Sequence, residues 1–466
     1  VLVIGSGAGG APTGALLAEA GVDVIVVEEG AWVEQGSTVP FSLDQMDRQY
    51  RSGGVTVALG RPSIAYTEGR CAGGGTEVNS GLYRRPAEAT LDRWRTSHAI
   101  AEFDSGDFYA VCDEVEQALS VQHVPGEHTD ASHRLRDGAA ALGWQHDESP
   151  RWMTYPTGDS TRGQRQSMTR TFLPRATAAG ARLLCEHRVD RLIHDRGRAF
   201  RAELTGPSGE PATVDFDHVF VCGGAIQTPA LLQRSGFRGL VGKQLAVHPT
   251  VKLAARFDNF HAVPDDVPVH QVKEFAPDLS FGGSASHPGL VALALTDSWE
   301  SMKSVVTAWD EIAVYYAAIT SQGRGRVLAL PGLVDPLVTY RLTRRDRELL
   351  GQGLARLALV MLEAGAREVY PSFRGAPTVR GRRDLAAVTG AFAAAAASVM
   401  TVHLCSTVPI GEDRRVAAAD SFGRVHGTTN VFVNDASLLP DAPGVNPQAS
   451  VMAVAIRNVR RFLEAR

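Results

Sequence analysis

The feature that most narrows the folds open to this chain lies at its start, in VLVIGSGAGGAPTGALLAEAGVDVIVVEEG. Residues 1–4 form an apolar, largely β-branched run suited to a buried parallel strand. Gly5, Gly7 and Gly10 follow as GxGxxG, then a helical stretch over residues 12–20, the breaker Gly21, a second strand over 22–27, and Glu28 at its end. Gly5 permits a tight turn, Gly7 lets backbone approach a pyrophosphate, and Gly10 lets the helix pack on the strand. The helix N-terminus offers unpaired N–H groups and a positive dipole end to phosphates. Glu28 is placed to bond a ribose diol. GxGxxG alone is a weak signal, but strand, helix, strand and terminal acid in register predict a dinucleotide site. The motif does not choose between NAD and FAD.

At 466 residues the chain exceeds one simple core, and two domains are expected. A formal charge of -4 and the lack of a basic block argue against a nucleic-acid partner. Lysine occurs four times among 47 basic residues, which reads as coding bias rather than function. Five scattered cysteines without a CxxC pair fit free thiols in a reducing, cytoplasmic compartment. His123, His128 and His133 are the nearest thing to a metal cluster, but Pro125 and Gly126 break any helix that would align them. A surface loop with no metal is expected there. No segment is long and apolar enough for a membrane span. The Ala-rich run 391–397 suits a packed helix, and an apolar opening leaves room for a lost N-terminal extension.

Three later stretches bear on the cofactor. GRCAGGGTEVNSGLYRRP places Gly73, Gly74 and Gly75 before Thr76 and Asn79; such a triplet lets backbone lie flat against a planar ligand, or serves a flexible loop. DHVFVCGGAIQTPALLQRSG reads as a later strand of the same parallel sheet, with a turn at Gly223, Gly224 and Ala225 close to the nucleotide. Upstream, a strand ending near Val189 is expected to edge an adenine. In the last stretch a strand over 431–433 leads to Asp435 and Ala436. Asn446 and Pro447 then precede a long helix from Gln448, whose N-terminus would face whatever lies beside Asn446.

Together GxGxxG with Glu28, GGGT…N, GGAIQTPALLQRSG, VGKQLAVHP, HLCSTVPIG and NDASLLP…GVNPQASVMAVA resemble, in that order, the glucose–methanol–choline (GMC) oxidoreductases. The resemblance implies an α/β fold with FAD on a Rossmann-like domain built from residues 1–85, 160–250 and 400–466. Residues 86–159 and 251–399 would form a substrate domain on a mostly antiparallel sheet flanked by helices. Hairpin strands are expected within 310–342 and a helix over 346–363. Ser406 and Ile410 depart from the family's usual Gly and Met, a change of packing rather than chemistry. Some members bond FAD through a histidine in the glycine loop; GGGTEVNSG has none, so the FAD is expected to be non-covalent.

The same resemblance assigns His403 the role of base, beside Asn446. Burial habits alone would make a lone histidine in MTVHLCSTVPIG a core residue; the surrounding motif reverses that. A neutral imidazole near its ordinary pKa of ~6.5 can take a hydroxyl proton, and an amide can orient the hydroxyl. His248 matches a family position with a structural task, and His426 reads as turn surface. The implied activity is FAD-dependent oxidation of an alcohol by hydride transfer to flavin N5, with oxygen or another electron acceptor. The C-terminal motifs are most similar to members that oxidise a primary alcohol of an amino sugar in aminoglycoside biosynthesis. Aryl, aliphatic or sterol alcohols, and a non-redox hydroxynitrile lyase that retains FAD, are the alternatives.

Overall fold

The computed structural model describes residues 1–159, 163–263, 266–393 and 397–466. The strand Leu2–Ile4 is buried at every position, so both of its faces must be covered. It lies at the centre of a five-stranded parallel sheet with the order Val431–Val433, Val219–Val221, Leu2–Ile4, Ile25–Val27, Arg182–Leu184. The helices Gly10–Glu19 and Gln448–Glu464 pack on it, sharing one core that includes Leu17, Val26, Phe220 and Val454. The expected second strand is thus shorter, and the first helix starts two residues early. The strand expected to end near Val189 is two strands. Arg182–Leu184 ends first, Glu186 turns the chain at φ 59°, and Val189 sits near the start of Arg188–Asp195 in a separate three-stranded antiparallel sheet.

A nine-stranded, mostly antiparallel sheet forms the other half, with the strands Thr250–Phe257, Ile312–Ile319, Leu279–Ser284 and His270–Val272 at its heart. Its two faces are set by alternation. Val251, Leu253, Tyr315, Ala317, Leu279 and Phe281 share a core with the helix Arg344–Glu363, while Thr250, Lys252, Tyr316 and Ser280 lie at the intervening positions. That helix opens on a capping box between Thr343 and Asp346. Within 310–342, Ile312–Ile319 joins the large sheet, and Arg324–Leu328 pairs with Leu337–Arg341 as a hairpin of its own.

Strands and cores do not follow the chain simply. Thr56–Ala58 and Ile64–Tyr66, in the segment 1–85, belong to the nine-stranded sheet. The helices Glu88–His98 and Ser105–Ala118, in the segment 86–159, set Leu91, Trp94 and Phe108 into the core of the parallel sheet. The helix Leu385–Ala391 ends where the Ala-rich run begins, and residues 394–396 of that run lie outside the described residues. The three histidines read as a surface loop part company. His123 is exposed, His128 is half-buried against His270, and His133 is on the helix Asp130–Ala141. No group of metal-ligating residues occurs among the described residues, and no described helix is long and apolar enough to cross a membrane.

Candidate active site

One cavity of about 1190 Å³ runs from the N-terminal glycine turn to the polar face of the nine-stranded sheet. It exceeds the ~300–1,000 Å³ of ordinary small-molecule sites, which leaves room for a large ligand and a second one beside it. At its nucleotide end the glycines divide their tasks. Gly5 takes φ +97°, and a Cβ there would lie 2.4 Å from Cys222 O; a Cβ on Gly10 would lie 1.9 Å from Gly5 O. Both make the turn possible and neither has space for a side chain. Gly7 is different: a Cβ there meets nothing nearer than 3.9 Å, because this glycine faces the cavity.

Glu28 ends its strand as expected and is buried. Its Oε2 accepts from the Ser6 N–H at 3.0 Å and the Ser6 hydroxyl at 2.7 Å, and Oε1 accepts from the Gly30 N–H at 2.8 Å. Burial pushes the carboxyl up while these donors pull it down. Three acceptor positions of about four are used, which leaves one for a ribose hydroxyl. Ser6 was not singled out in the sequence, yet its hydroxyl also accepts from the Gly73 N–H at 3.0 Å and so ties the two glycine loops together. Gly9 was likewise missed: a Cβ on it would fall 1.9 Å from Asn434 O.

The other expected cofactor residues line the same cavity, except Gly10 and Gly73, which stand behind its wall. Gly74 and Gly75 present backbone; Thr76 donates to Gly73 O at 2.7 Å and accepts from the Met168 N–H at 3.1 Å, fixing the loop. Asn79 donates to Gln448 Oε1 at 2.8 Å, joining the loop to the start of the C-terminal helix. Asp435 accepts from the Gly224 N–H at 2.8 Å, the Thr228 hydroxyl at 2.5 Å and the Ser437 N–H at 2.7 Å, so it clamps two strand ends together. Val189, Gly223, Ala225, Ala436 and Pro447 complete this wall.

His403 stands at a crossing between sheets. The chain leaves the large sheet at Val399–Thr401, bends through His403, and enters a two-stranded ribbon at Leu404–Cys405; its partner Ala246–Val247 leaves the ribbon through His248 for the large sheet. The two imidazoles therefore face each other, Nδ1 to Nδ1 at 2.9 Å, with rings 87° apart. His403 Nε2 points to Asn446 Nδ2 at 3.4 Å, and His248 Nε2 accepts from the Gly444 N–H at 2.9 Å. Burial lowers the His403 imidazole to about 4, with the Lys273 charge adding to the effect, and burial holds His248 well below its ordinary value, with the His403 and Lys273 charges adding. Both are neutral at pH 7, so the ordinary value expected for His403 does not hold.

The hydrogens of this pair follow from its partners. In the neutral pair His248 Nε2 is occupied by Gly444, so the shared hydrogen belongs to His248 Nδ1 and the hydrogen of His403 sits on Nε2, where it needs the Asn446 amide turned so that its oxygen rather than Nδ2 faces it. Acceptance of a proton at Nε2 needs the opposite tautomers and costs the Gly444 bond, about 1–3 kcal/mol. His248 is thus more than packing: it sets which nitrogen of His403 is free. His426 matches its expected turn, half-buried, with Nε2 3.1 Å from Gly411 O.

Models of the GMC oxidoreductase family match residues 46–250 and 322–455. The chain belongs to the GMC oxidoreductases. An uncharacterized GMC-type oxidoreductase of Sinorhizobium fredii is 39% identical over 98% of this chain and 93% of its own length. A long-chain-alcohol oxidase of Arabidopsis thaliana is 24% identical over 98% of this chain and 66% of its own. A paromamine 6'-oxidase of Streptomyces fradiae aligns at 36% identity over 58 residues, 12% of this chain and 11% of its own. The solved structure of pyridoxine 4-oxidase from Mesorbium loti shares the fold, with a TM-score of 0.76 and 20% identity over 99% of this chain and 98% of that one.

This GMC oxidoreductase uses FAD. The fit of FAD to the residues present is physical. Gly7 is open toward the cavity where a pyrophosphate approaches a helix N-terminus, Glu28 keeps a free acceptor direction, and Gly74 and Gly75 leave a side-chain-free wall between that end and His403.

Proposed function

We propose that His403 takes the hydroxyl proton of an alcohol oriented by Asn446, and that Gly7, Glu28, Gly74, Gly75 and Gln448 would hold the FAD that would accept the carbinol hydride. The observation that carries this reading is the meeting of His403 and Asn446, 43 residues apart, in the cavity that begins at the glycine turn. When bound, FAD supplies the hydride acceptor. The residues do the rest: Asn446 holds the hydroxyl, and His403, in the tautomer with Nε2 free, receives its proton. The N-terminus of Gln448–Glu464 offers a positive dipole end to charge developing nearby. Oxygen or another acceptor then takes the electrons.

Residues 73–79 contain no histidine, which supports a non-covalent flavin. Acid or heat should therefore release the yellow colour, and colour that stays on the denatured chain would refute this. Glu28→Gln should weaken FAD retention by about 1–3 kcal/mol, the worth of a charged acceptor to a buried hydroxyl. Five free cysteines support a reducing, cytoplasmic setting.

For the finer substrate, a primary alcohol of an amino sugar has the 58-residue match to a paromamine 6'-oxidase in its favour. A polycation would be best served by free carboxylates in the wall, and the large sheet contributes lysines instead. Anaerobic flavin reduction screened across amino-sugar, aryl and aliphatic alcohols tests the reading. Flavin that no alcohol reduces would overturn it.

A further inference from the structure

Two of the four lysines in the chain face this cavity. Lys252 lies on Thr250–Phe257, and Lys273 directly follows His270–Val272. The strand register sets Lys252 opposite Tyr316, Tyr316 opposite Gly282, and Gly282 opposite Gln271. Gln271 and Lys273 are two residues apart, so they share a face. That face is the wall opposite the apolar core, and Ser280 and Ser284 stand on it too. A Cβ at Gly282 would strike the Tyr316 hydroxyl at 2.4 Å, so the missing side chain keeps this hydroxyl in the wall.

The two lysines are half-buried, and they lack the ion-pair partners that cations drawn out of bulk water require. Lys252 donates to Ser284 Oγ at 3.2 Å, and neither lysine forms an ion pair among the described residues. The acids lining the cavity are engaged elsewhere. Glu28 is held by Ser6 and Gly30, Glu29 and Glu68 lie against Arg51, and Asp435 binds Gly224, Thr228 and Ser437. Asp147, whose charge reaches Lys273, is taken by Arg84 at 2.5 Å. Burial lowers each lysine to about 8, above neutrality, so both remain mostly cationic at pH 7. An unpaired cation out of bulk water is destabilising. Two of them in one wall, free of carboxylates, are what an anion would neutralise. The scarcity of lysine, read in the sequence as coding bias, makes their placement more pointed.

We propose that the alcohol substrate carries an acidic group, a carboxylate or a phosphate monoester, which Lys252 and Lys273 bind while His403 meets the hydroxyl. This rests on the reading of His403 and Asn446 as the alcohol end of the site. Lys273 is near enough for its charge to act on both His403 and His248, so the acidic group and the hydroxyl occupy neighbouring parts of one cavity. The remaining ammonium hydrogens, with the hydroxyls of Ser280 and Ser284, can supply donors to several anion oxygens. A cationic substrate would meet repulsion at the same place.

The test begins with binding to the FAD-loaded enzyme, followed by perturbation of flavin absorbance. Acetate, inorganic phosphate, ethanol and ethylamine serve as small probes. At least one anion should bind 10-fold or more tightly than ethanol and ethylamine, and which anion does so separates carboxylate from phosphate. In the double variant Lys252→Met, Lys273→Met the preference should shrink to within about 3-fold; methionine fills the space without a buried charge, so folding is retained. Rapid anaerobic mixing then compares 6-hydroxyhexanoate with 1-hexanol and 6-amino-1-hexanol, and 4-(hydroxymethyl)benzoate with benzyl alcohol. The acids, or the matching phosphate esters, should show the lower half-saturation concentration, by 10-fold or more, in wild type only. Equal binding of anions and ethanol, or a preference that survives in the double variant, overturns the proposal. So does a double variant whose preference disappears only because it releases FAD or shifts its reduction potential, since the lysines would then serve the cofactor. Lysine-dependent anion binding with a flavin that no alcohol reduces would sink the oxidation reading and leave the anion site standing.

Discussion

Two histidine pairs in this molecule look alike in isolation. His248 and His403 stand 2.9 Å apart, nitrogen to nitrogen, with ring centroids at 5.1 Å. His128 and His270 stand 3.1 Å apart, with centroids again at 5.1 Å. Each pair contains an imidazole that burial lowers to about 4. Their surroundings differ. His270 sits on the strand beside Gln271 but on its opposite face, so it turns away from the cavity, and His128 leans on Glu148 at 3.5 Å. His403 opens to the cavity beside Asn446, and its partner is anchored by a backbone N–H rather than a carboxylate. A depressed pKa and a close partner do not make a base. Access to a substrate, with an orienting group beside it, does.

The largest expected effect breaks the likeness directly. His403→Ala should remain folded and yellow yet reduce its flavin about 10²–10⁴-fold more slowly with a reactive alcohol, the usual worth of a positioned general base. His270→Gln should stay within about 3-fold of wild type. Stopped-flow reduction beside thermal melts measures both, and a His403 variant that melts early but reduces at full speed would make this residue structural.

Acid separates the pairs next. Flavin reduction should decline as pH falls toward 4, where His403 charges, and that limb should vanish in His403→Ala but persist in His270→Gln. Stability runs in the same direction for both pairs. The unfolded chain binds protons near 6.5 and these folded imidazoles near 4, so stability should be lost as pH drops through that window. Each substitution should flatten its own share of the fall in melting temperature.

Asn446→Ala should slow reduction by about 10-fold, one orienting hydrogen bond, with the acid limb retained. A loss as large as that of His403→Ala would make the amide a full partner in the proton transfer. Smallest is a change without rate consequence: ¹⁵N spectra of the resting enzyme should show His403 protonated at Nε2 and His248 at Nδ1. The reverse tautomers would mean that the Gly444 bond does not govern the pair.

How much of this was legible in the sequence depended on the range of the interactions. Gly5, Gly7 and Glu28 were readable because strand, turn and helix are local and each residue type answers a local need. His403 and Asn446 were found only through resemblance, since their meeting depends on two sheets crossing. Lys252 and Lys273 were invisible as a pair. Their shared face follows from a register running across four strands, and a slip of one residue would have sent either into the core. Ser406 was flagged as a departure without its geometry. It adopts φ 70°, where glycine is favoured, and its hydroxyl donates to Pro440 O at 2.7 Å. Ser406→Ala should cost about 1–2 kcal/mol in chemical denaturation, because the strain stays and the bond goes. Ser406→Gly should lie near zero, as one term offsets the other.

Asn434 carries a consequence that belongs to biosynthesis. Its side chain donates to the Thr13 hydroxyl at 2.8 Å and to Ala455 O at 3.0 Å, and accepts from Asn458 at 3.0 Å. Its backbone oxygen closes against Gly9. The helix that follows the glycine turn leaves the ribosome well ahead of the group that locks it, which lies 421 residues further along the chain. At about 5–20 residues per second that is a wait of roughly 20–80 s. During translation the nucleotide turn must therefore persist unlatched, and a chain released short of Val431 would carry the whole glycine motif without either the strand that completes its sheet or the latch that follows it.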